Sequence, residues 1–510
     1  MVVPKEVKKI LAKLQEVGFE AYIVGGCVRD FLLGNDPKDW DVTTNAKPEE
    51  IQKVFPDSFY ENNFLTVTVR TGSKKENLAE IEITTYRLEA KYSDKRHPDE
   101  VRFAKDLRED LARRDFTVNS MAMDLKTKEF KDGRTKELKN ERTKERKNAG
   151  TKELVDVIDL FSGKEDLKNR IIKTVGNAQE RFSEDSLRMI RAVRLAATLG
   201  FKIEKETAEA IKKNSLWIEA VSKERIRDEL VKIINTDDAA GGIDLLRELG
   251  LLKFIMPELQ ENYGVGQNKH HIYDCYTHAL KALEFTAKKD FNMQVRFAAL
   301  LHDVGKPRVK QGEGVNSTFY NHEIVGAKMA FEILNRLKFS KKDIEKITKL
   351  VRYHLFYYNV DEVSESSVRR LVKNVGPENM QELLQVRQAD RIGSGVPKAE
   401  PYKLRHLKYV IDKVSQDPIS AKMLKVDGKD VMDILKIQPG PKVGQIISIL
   451  LGYVLDDPKN NTKDFLNKEI ESLGKIDEKE LEKLSEKSQE EKTKLETKKD
   501  EMTKQKYWVT

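Results

Sequence analysis

Cysteine is nearly missing from this chain: its 510 residues include only Cys27 and Cys275, and neither belongs to a Cys-x-x-Cys pair. That excludes a disulfide framework and a zinc ribbon, and it fits a reducing compartment, the cytoplasm. No apolar run reaches the roughly 18 residues a membrane helix needs, so no membrane partner is expected. The opening MVVPKEVKKILAKLQEVGF carries lysines throughout and reads as an amphipathic helix, not a signal peptide. A large excess of one charge is also missing. The formal net charge of +8 permits a polyanionic partner without requiring one. What is present is 39% hydrophobic content, enough for several cores despite 35% charge.

Strand-like segments are confined to the first third, at 21–24, 39–44, 64–71, 79–86, 116–124 and 155–160, and long helical patterns dominate from about residue 163. The expected fold is an α/β head with a small mixed sheet, followed by an all-α remainder. Between the last two strand segments lies a tandem repeat, TKEFKDGR, TKELKNER, TKERKNAG and TKEL, with Thr127, Thr135, Thr143 and Thr151 spaced by eight. Residues 125–153 hold eleven Lys/Arg against six Asp/Glu, too little apolar content for a core, so a solvated insertion over 127–154 is expected.

The most informative stretch is AYIVGGCVRDFLLGNDPKDWDVTT. It reads as a strand, a glycine turn, a short helix and a second strand. Side chains alternate along a strand, so Asp39 and Asp41 are expected to project the same way and to hold two divalent cations, Mg²⁺. Gly25 and Gly26 let the backbone approach a triphosphate, and Arg29 neutralises phosphate charge. An Asp-x-Asp alone is usually a solvated turn and a Gly-Gly alone a loop; in this order they point to nucleotidyl transfer.

Two further constellations follow. Asp110 precedes Arg113, Arg114, Asp115, Phe116, Thr117, Val118 and Asn119, and paired arginines entering a buried strand need partners that a phosphate supplies. An aspartate and an asparagine four residues apart can hydrogen-bond a ribose. In ERFSEDSLRMIRAVRLAATLGF, Asp185 and Arg188 stand at i and i+3 on a periodic helix, with Glu184 before them and Arg191 and Arg194 continuing a basic stripe. Cytosine and adenine both present an amino donor beside a ring-nitrogen acceptor, and uracil and guanine reverse that order. A carboxylate with a guanidinium therefore admits C and A and refuses U and G.

The glycine and Asp-x-Asp element resembles the first motif of the class II tRNA nucleotidyltransferase and bacterial poly(A) polymerase family. Arg-Arg-Asp, Glu-Asp-x-x-Arg and the helix SKERIRDEL with Glu224, Arg225 and Arg227 match its later motifs in order over residues 20–230. The resemblance implies that Arg114, Asp115 and Asn119 contact the sugar and phosphates of the incoming nucleotide. It also implies that Glu82 is a third carboxylate near the metal pair, and that the Arg225 helix buttresses the nucleotide site. Tyr92, Asp94, Arg96 and Pro98 match the mobile loop of full CCA-adding enzymes.

His278, the adjacent His302 and Asp303, and Asp390 follow the order of HD phosphohydrolases, with His322 and His354 as further candidates. Imidazole with carboxylate ligands suits Mg²⁺, Mn²⁺, Ni²⁺ or Fe and not a structural zinc cage. The resulting expectation is a CCA-adding enzyme using CTP, ATP and tRNA. Its nucleotidyltransferase head would span 1–160, a helical neck with the base reader 161–250, an HD body 251–400, a helical tail 401–474 and a charged extension 475–510. A poly(A) or A-adding polymerase, a primary HD hydrolase and a non-catalytic RNA-binding protein are the alternatives.

Overall fold

The computed structural model describes residues 2–61, 66–90, 100–125, 155–268, 272–360, 362–415, 421 and 424–509. The octapeptide insertion and Tyr92, Asp94, Arg96 and Pro98 lie outside these residues. The described chain forms two compact units: Met1–Arg352 with Gln385–Gly395, and Tyr353–Leu384 with Val396–Thr510.

The first unit opens on the sheet. Its strands are β1 (Ala21–Val24), β2 (Asp41–Thr44), β3 (Ser58–Glu61), β4 (Thr66–Arg70), β5 (Glu80–Thr85), β8 (Met121–Leu125) and β9 (Val155–Asp159), after a separate ribbon of β6 (Arg87–Ala90) and β7 (Glu100–Phe103). The order is β3-β4-β5-β2-β1-β8-β9, with β2 and β5 parallel and the other neighbours antiparallel, which makes the sheet mixed as expected. β-branched residues favour these strands. Ile23, Val42, Val67, Ile81 and Ile83 are fully buried, whereas Glu80 and Glu82 alternate with the last two on the exposed face of β5. Helices then take over, among them Ala178–Glu184, Arg188–Leu199, Lys223–Ile234, Cys275–Lys288, Met293–Leu301 and His322–Arg336.

The second unit is helical. Ile446, Leu450, Leu466, Ile470 and Leu481 form its core. The charged extension expected at 475–510 holds a 30-residue helix, Glu478–Tyr507, capped by Asp477, which accepts from the Lys479 and Glu480 amides. Its one-sided burial, with Leu481 and Ser485 inward, explains how so polar a segment is held.

Three sequence expectations need correction. β2 begins at Asp41, so Asp39 sits in the preceding bend and strand alternation does not explain its position. The segment 116–124 is not one strand: Thr117–Asn119 is a 3-10 turn and β8 starts at Met121. Asp185 and Arg188 do not share a helix, because one helix ends at Glu184 and the next begins at Arg188.

Candidate active site and metal centre

The bottom of the first site is the turn between β1 and the helix Gly26–Leu33. Gly25 has φ 86° and ψ −143°, a conformation side chains avoid. A Cβ there would lie 3.0 Å from Arg114 Nη1 and 3.3 Å from Asp41 Oδ2. The glycine is thus what lets a guanidinium and a carboxylate close over the turn. Parallel pairing sets Asp41 opposite Glu82 on adjacent strands, so both carboxylates leave the sheet at one level. Burial, then the charge of Asp39, push the Asp41 carboxyl up to about 6, with Glu82 adding and Arg114 opposing. Carboxylates of like charge are hard oxygen ligands, a kind that suits divalent cations.

Arg114 is held from behind. Asp110, fully buried, accepts from Arg113 Nε and Nη2 at 3.0 and 2.8 Å and from Arg114 Nη2 at 3.2 Å. Burial works against its charge, but Arg113 and Arg114 outweigh that and hold its carboxyl below the usual range. Arg29 Nη1 donates to Asn119 Oδ1 at 2.6 Å, and its Nε donates to Asp30 at 2.8 Å. Asp115 is buried and faces the neck, accepting from Arg191 Nε at 2.8 Å and from Asn119 Nδ2 at 3.3 Å.

Asp185 and Arg188 each have their own support. Asp185 accepts from Arg225 Nη1 and Nη2 at 3.3 and 2.7 Å and from the Leu187 amide at 3.0 Å. Arg188 Nη1 is bound by Glu184, and its Nη2 donates to the Arg113 carbonyl at 3.2 Å. The backbone break between the two helices still keeps the pair adjacent, with the Arg188 amide donating to the Asp185 carbonyl at 3.0 Å. Arg194 turns away and pairs with the buried Glu229 at 2.6 Å. Glu229 escaped sequence reasoning, for a glutamate on the last motif's helix gives no sign of being buried.

The second site lies in the helical part of the first unit. His278, His302, Asp303 and Asp390 each offer a ligand atom, and these atoms lie within 4.8 Å of one another. His278 Nε2 and His302 Nε2 are 2.9 Å apart, and both lie 3.1 Å from Asp303 Oδ2. His302 Nδ1 donates to the Ala299 carbonyl at 2.7 Å, which leaves Nε2 as the atom that faces the cluster. Two imidazole Nε2 atoms with two carboxylates fit a divalent metal, which would replace the ring protons. Burial opposes charging His302, yet Asp303 and Asp390 outweigh it and push its pKa up to about 10. Lys306 Nζ sits 2.6 Å from Asp303 and Arg387 Nη1 2.6 Å from Asp390. Both were missed in the sequence, although each stands three residues from its ligand on helical spacing. His322 Nε2 is 3.3 Å from Asp303 Oδ1.

A mixed sheet that sets carboxylates beside a glycine turn, followed by helices carrying Asp185 and Arg188, is the arrangement of a nucleotidyltransferase. Family models agree: a poly(A) polymerase head domain matches residues 21–143, a probable RNA-binding and SrmB-binding segment of polymerase A matches 200–262, and an HD domain matches 275–394. A CCA-adding enzyme of Ligilactobacillus salivarius is 33% identical over 92% of this chain and 99% of its own length, and one of Lactococcus lactis is 31% identical over 92% and 97%. An A-adding tRNA nucleotidyltransferase of Deinococcus radiodurans is 31% identical over 84% and 90%. The fold is similar to that of a Bacillus stearothermophilus CCA-adding enzyme solved with CTP, at TM-score 0.56 and 24% identity over 92% of this chain and 98% of that one. The chain belongs to the CCA-adding tRNA nucleotidyltransferase family. Among the described residues, no helix is long and apolar enough to cross a membrane.

Proposed function

We propose that this protein adds C, C and A to the 3′ end of tRNA from CTP and ATP, without a nucleic-acid template. The observation that carries the proposal is the closure of Asp41 and Arg114 over Gly25, with Glu82 paired to Asp41 across the sheet. Two Mg²⁺ on Asp39 and Asp41, with Glu82 beside them, would activate the RNA 3′-hydroxyl and stabilise the departing pyrophosphate. The glycine turn and Arg29 would cradle the triphosphate, and Arg114, beside Gly25, would meet its charge. Asp185 takes the base amino group while Arg188 donates to the ring nitrogen, which serves C and A alike. The hydroxyl attacks the α-phosphorus, its proton leaves with solvent, and the bond to pyrophosphate breaks; no protein nucleophile is required.

The HD centre supports a second activity, metal-dependent hydrolysis of phosphate esters, with His278, His302, Asp303 and Asp390 as ligands. An A-adding enzyme is the competing reading of the head, since a relative of that name is 31% identical over 84% of this chain. The loop pattern at Tyr92, Asp94, Arg96 and Pro98 favours full CCA addition. Incubation with Mg²⁺, a tRNA lacking its CCA end and labelled triphosphates decides between them. Addition of C, C, A and a halt is expected; use of ATP alone would leave an A-adding enzyme or, with a growing ladder, a poly(A) polymerase.

A further inference from the structure

Asp115 occupies a motif position that the family resemblance assigns to the nucleotide, yet its carboxylate has no acceptor left for a ribose hydroxyl. Oδ1 accepts from the Phe116 amide at 2.9 Å and from Asn119 Nδ2 at 3.3 Å. Oδ2 accepts from Arg191 Nε at 2.8 Å and lies 2.6 Å from Arg191 Nη2. A carboxylate offers about four acceptor sites, and all four are taken. The Asn119 amide is oriented from its other end, because its Oδ1 accepts from Arg29 Nη1 at 2.6 Å. A continuous chain therefore runs Arg29, Asn119, Asp115, Arg191, from the phosphate-facing glycine turn to the helix Arg188–Leu199. Arg191 stands three residues beyond Arg188 on that helix, so whatever fixes one fixes the other.

Three neighbouring hydrogen bonds run the same way. The Arg113 carbonyl accepts from Arg188 Nη2 at 3.2 Å, and backbone bonds join Thr117 N to Lys173 O at 2.9 Å and Val175 N to Asp115 O at 3.2 Å. We propose that Asp115 is a positioning residue, not a ribose ligand: with Arg191 it sets the distance between the carboxylates of the sheet and the base reader of the neck, so that a correctly read base brings its α-phosphate into line. This rests on the nucleotidyl-transfer reading. It predicts that breaking the clamp blurs the choice of base while leaving the choice of sugar alone, the reverse of what loss of a ribose contact does.

The test compares the full-length wild type with Asp115→Asn, Arg191→Met, Arg191→Lys and the Asn/Met double variant. Single-nucleotide kcat/KM is measured for CTP, dCTP and UTP on tRNA lacking its CCA end. Each disruptive variant is expected to shrink the CTP:UTP ratio by about tenfold and to hold the CTP:dCTP ratio within about twofold. The double variant should be no worse than the poorer single one, as for two residues acting through one link. Arg191→Lys should recover part of the base ratio. A CTP:dCTP ratio falling towards one in Asp115→Asn alone would make Asp115 a sugar contact and overturn the proposal. An equal loss for all three nucleotides with a lowered unfolding temperature would reduce it to a folding role and overturn it as well. If the wild type extends no tRNA, the reaction itself has been misread. Urea unfolding of the same variants then decides whether the pair is a clamp: non-additive losses keep it and additive losses remove it.

Discussion

Adjacent glycines at the active-site turn should respond to alanine in opposite ways. Gly25 sits at φ 86° and ψ −143°, a region left almost wholly to glycine, and forcing a side chain there costs about 1–3 kcal/mol. The new Cβ would also stand 3.0 Å from Arg114 Nη1, so the guanidinium must shift away from Asp41 and loosen its hold on buried Asp110. Together these put Gly25→Ala at about 2–4 kcal/mol, since disturbing a buried charged hydrogen bond adds about 1 kcal/mol or more. Gly26 opens a helix, and its Cβ would meet nothing closer than Arg29 Nη2 at 3.4 Å, an ordinary contact. Gly26→Ala should therefore be neutral or stabilise by up to about 1 kcal/mol through the loss of glycine's chain entropy. Urea unfolding reads both if Trp217 and Trp508 are replaced by Phe, leaving Trp40, 3% exposed beside Asp39 and Asp41, to report on the head. With a slope of about 2 kcal/mol/M, Gly25→Ala should move the midpoint down by about 1–2 M. CTP binding should weaken in parallel. A Gly25→Ala protein as stable as wild type, or a Gly26→Ala protein equally damaged, would refute the argument from backbone conformation and close approach.

Asp41→Asn removes a carboxylate held up at about 6 by burial and by Asp39, so it should abolish nucleotide addition while leaving the fold intact or slightly firmer, as seen by unfolding with metal absent. Asp303→Ala should eliminate metal at the HD centre, measured by elemental analysis, without affecting C or A addition; parallel loss of both activities would refute the separation of the two sites. With His302 pushed up to about 10, metal must displace protons at the HD centre, so affinity for Mn²⁺ or Ni²⁺ should rise with pH and binding should release protons measurable by calorimetry in buffers of different ionisation heat. Asp115 is held down at about 2 against an ordinary 3.8, because Arg191 and then Arg188 outweigh its burial. The folded state therefore binds fewer protons than the unfolded one. The resulting stability, about 2 kcal/mol, is present above roughly pH 4 and disappears as pH falls towards 2, a dependence that Asp115→Asn should flatten.

The candidate residues of both sites were legible in the sequence because their chemistry is rare in combination: two aspartates after a glycine pair, an adjacent His-Asp with a histidine before and an aspartate after. Their mutual support was much less so. Spacing placed Asp185 and Arg188 on one helix face, but Asp185 is a helix end in extended conformation, φ −138° and ψ 104°, and its partner is Arg225, 40 residues away. Sequence periodicity reports the face a residue takes within an element and is blind to which element comes to meet it. The same blindness hid the burial of Asp110 and Glu229, and an aspartate such as Asp115 reads alike whether it faces a nucleotide or an arginine of a later helix. β3 was missed because SFYE is too short to show alternation, and its pairing with β4, not its own pattern, makes it a strand. Charges that carry function in this protein are thus separable from charges that position them only once their partners are known. The test of that separation is chemical: a positioning charge changes which nucleotide is chosen, whereas a metal ligand changes whether any nucleotide is added at all.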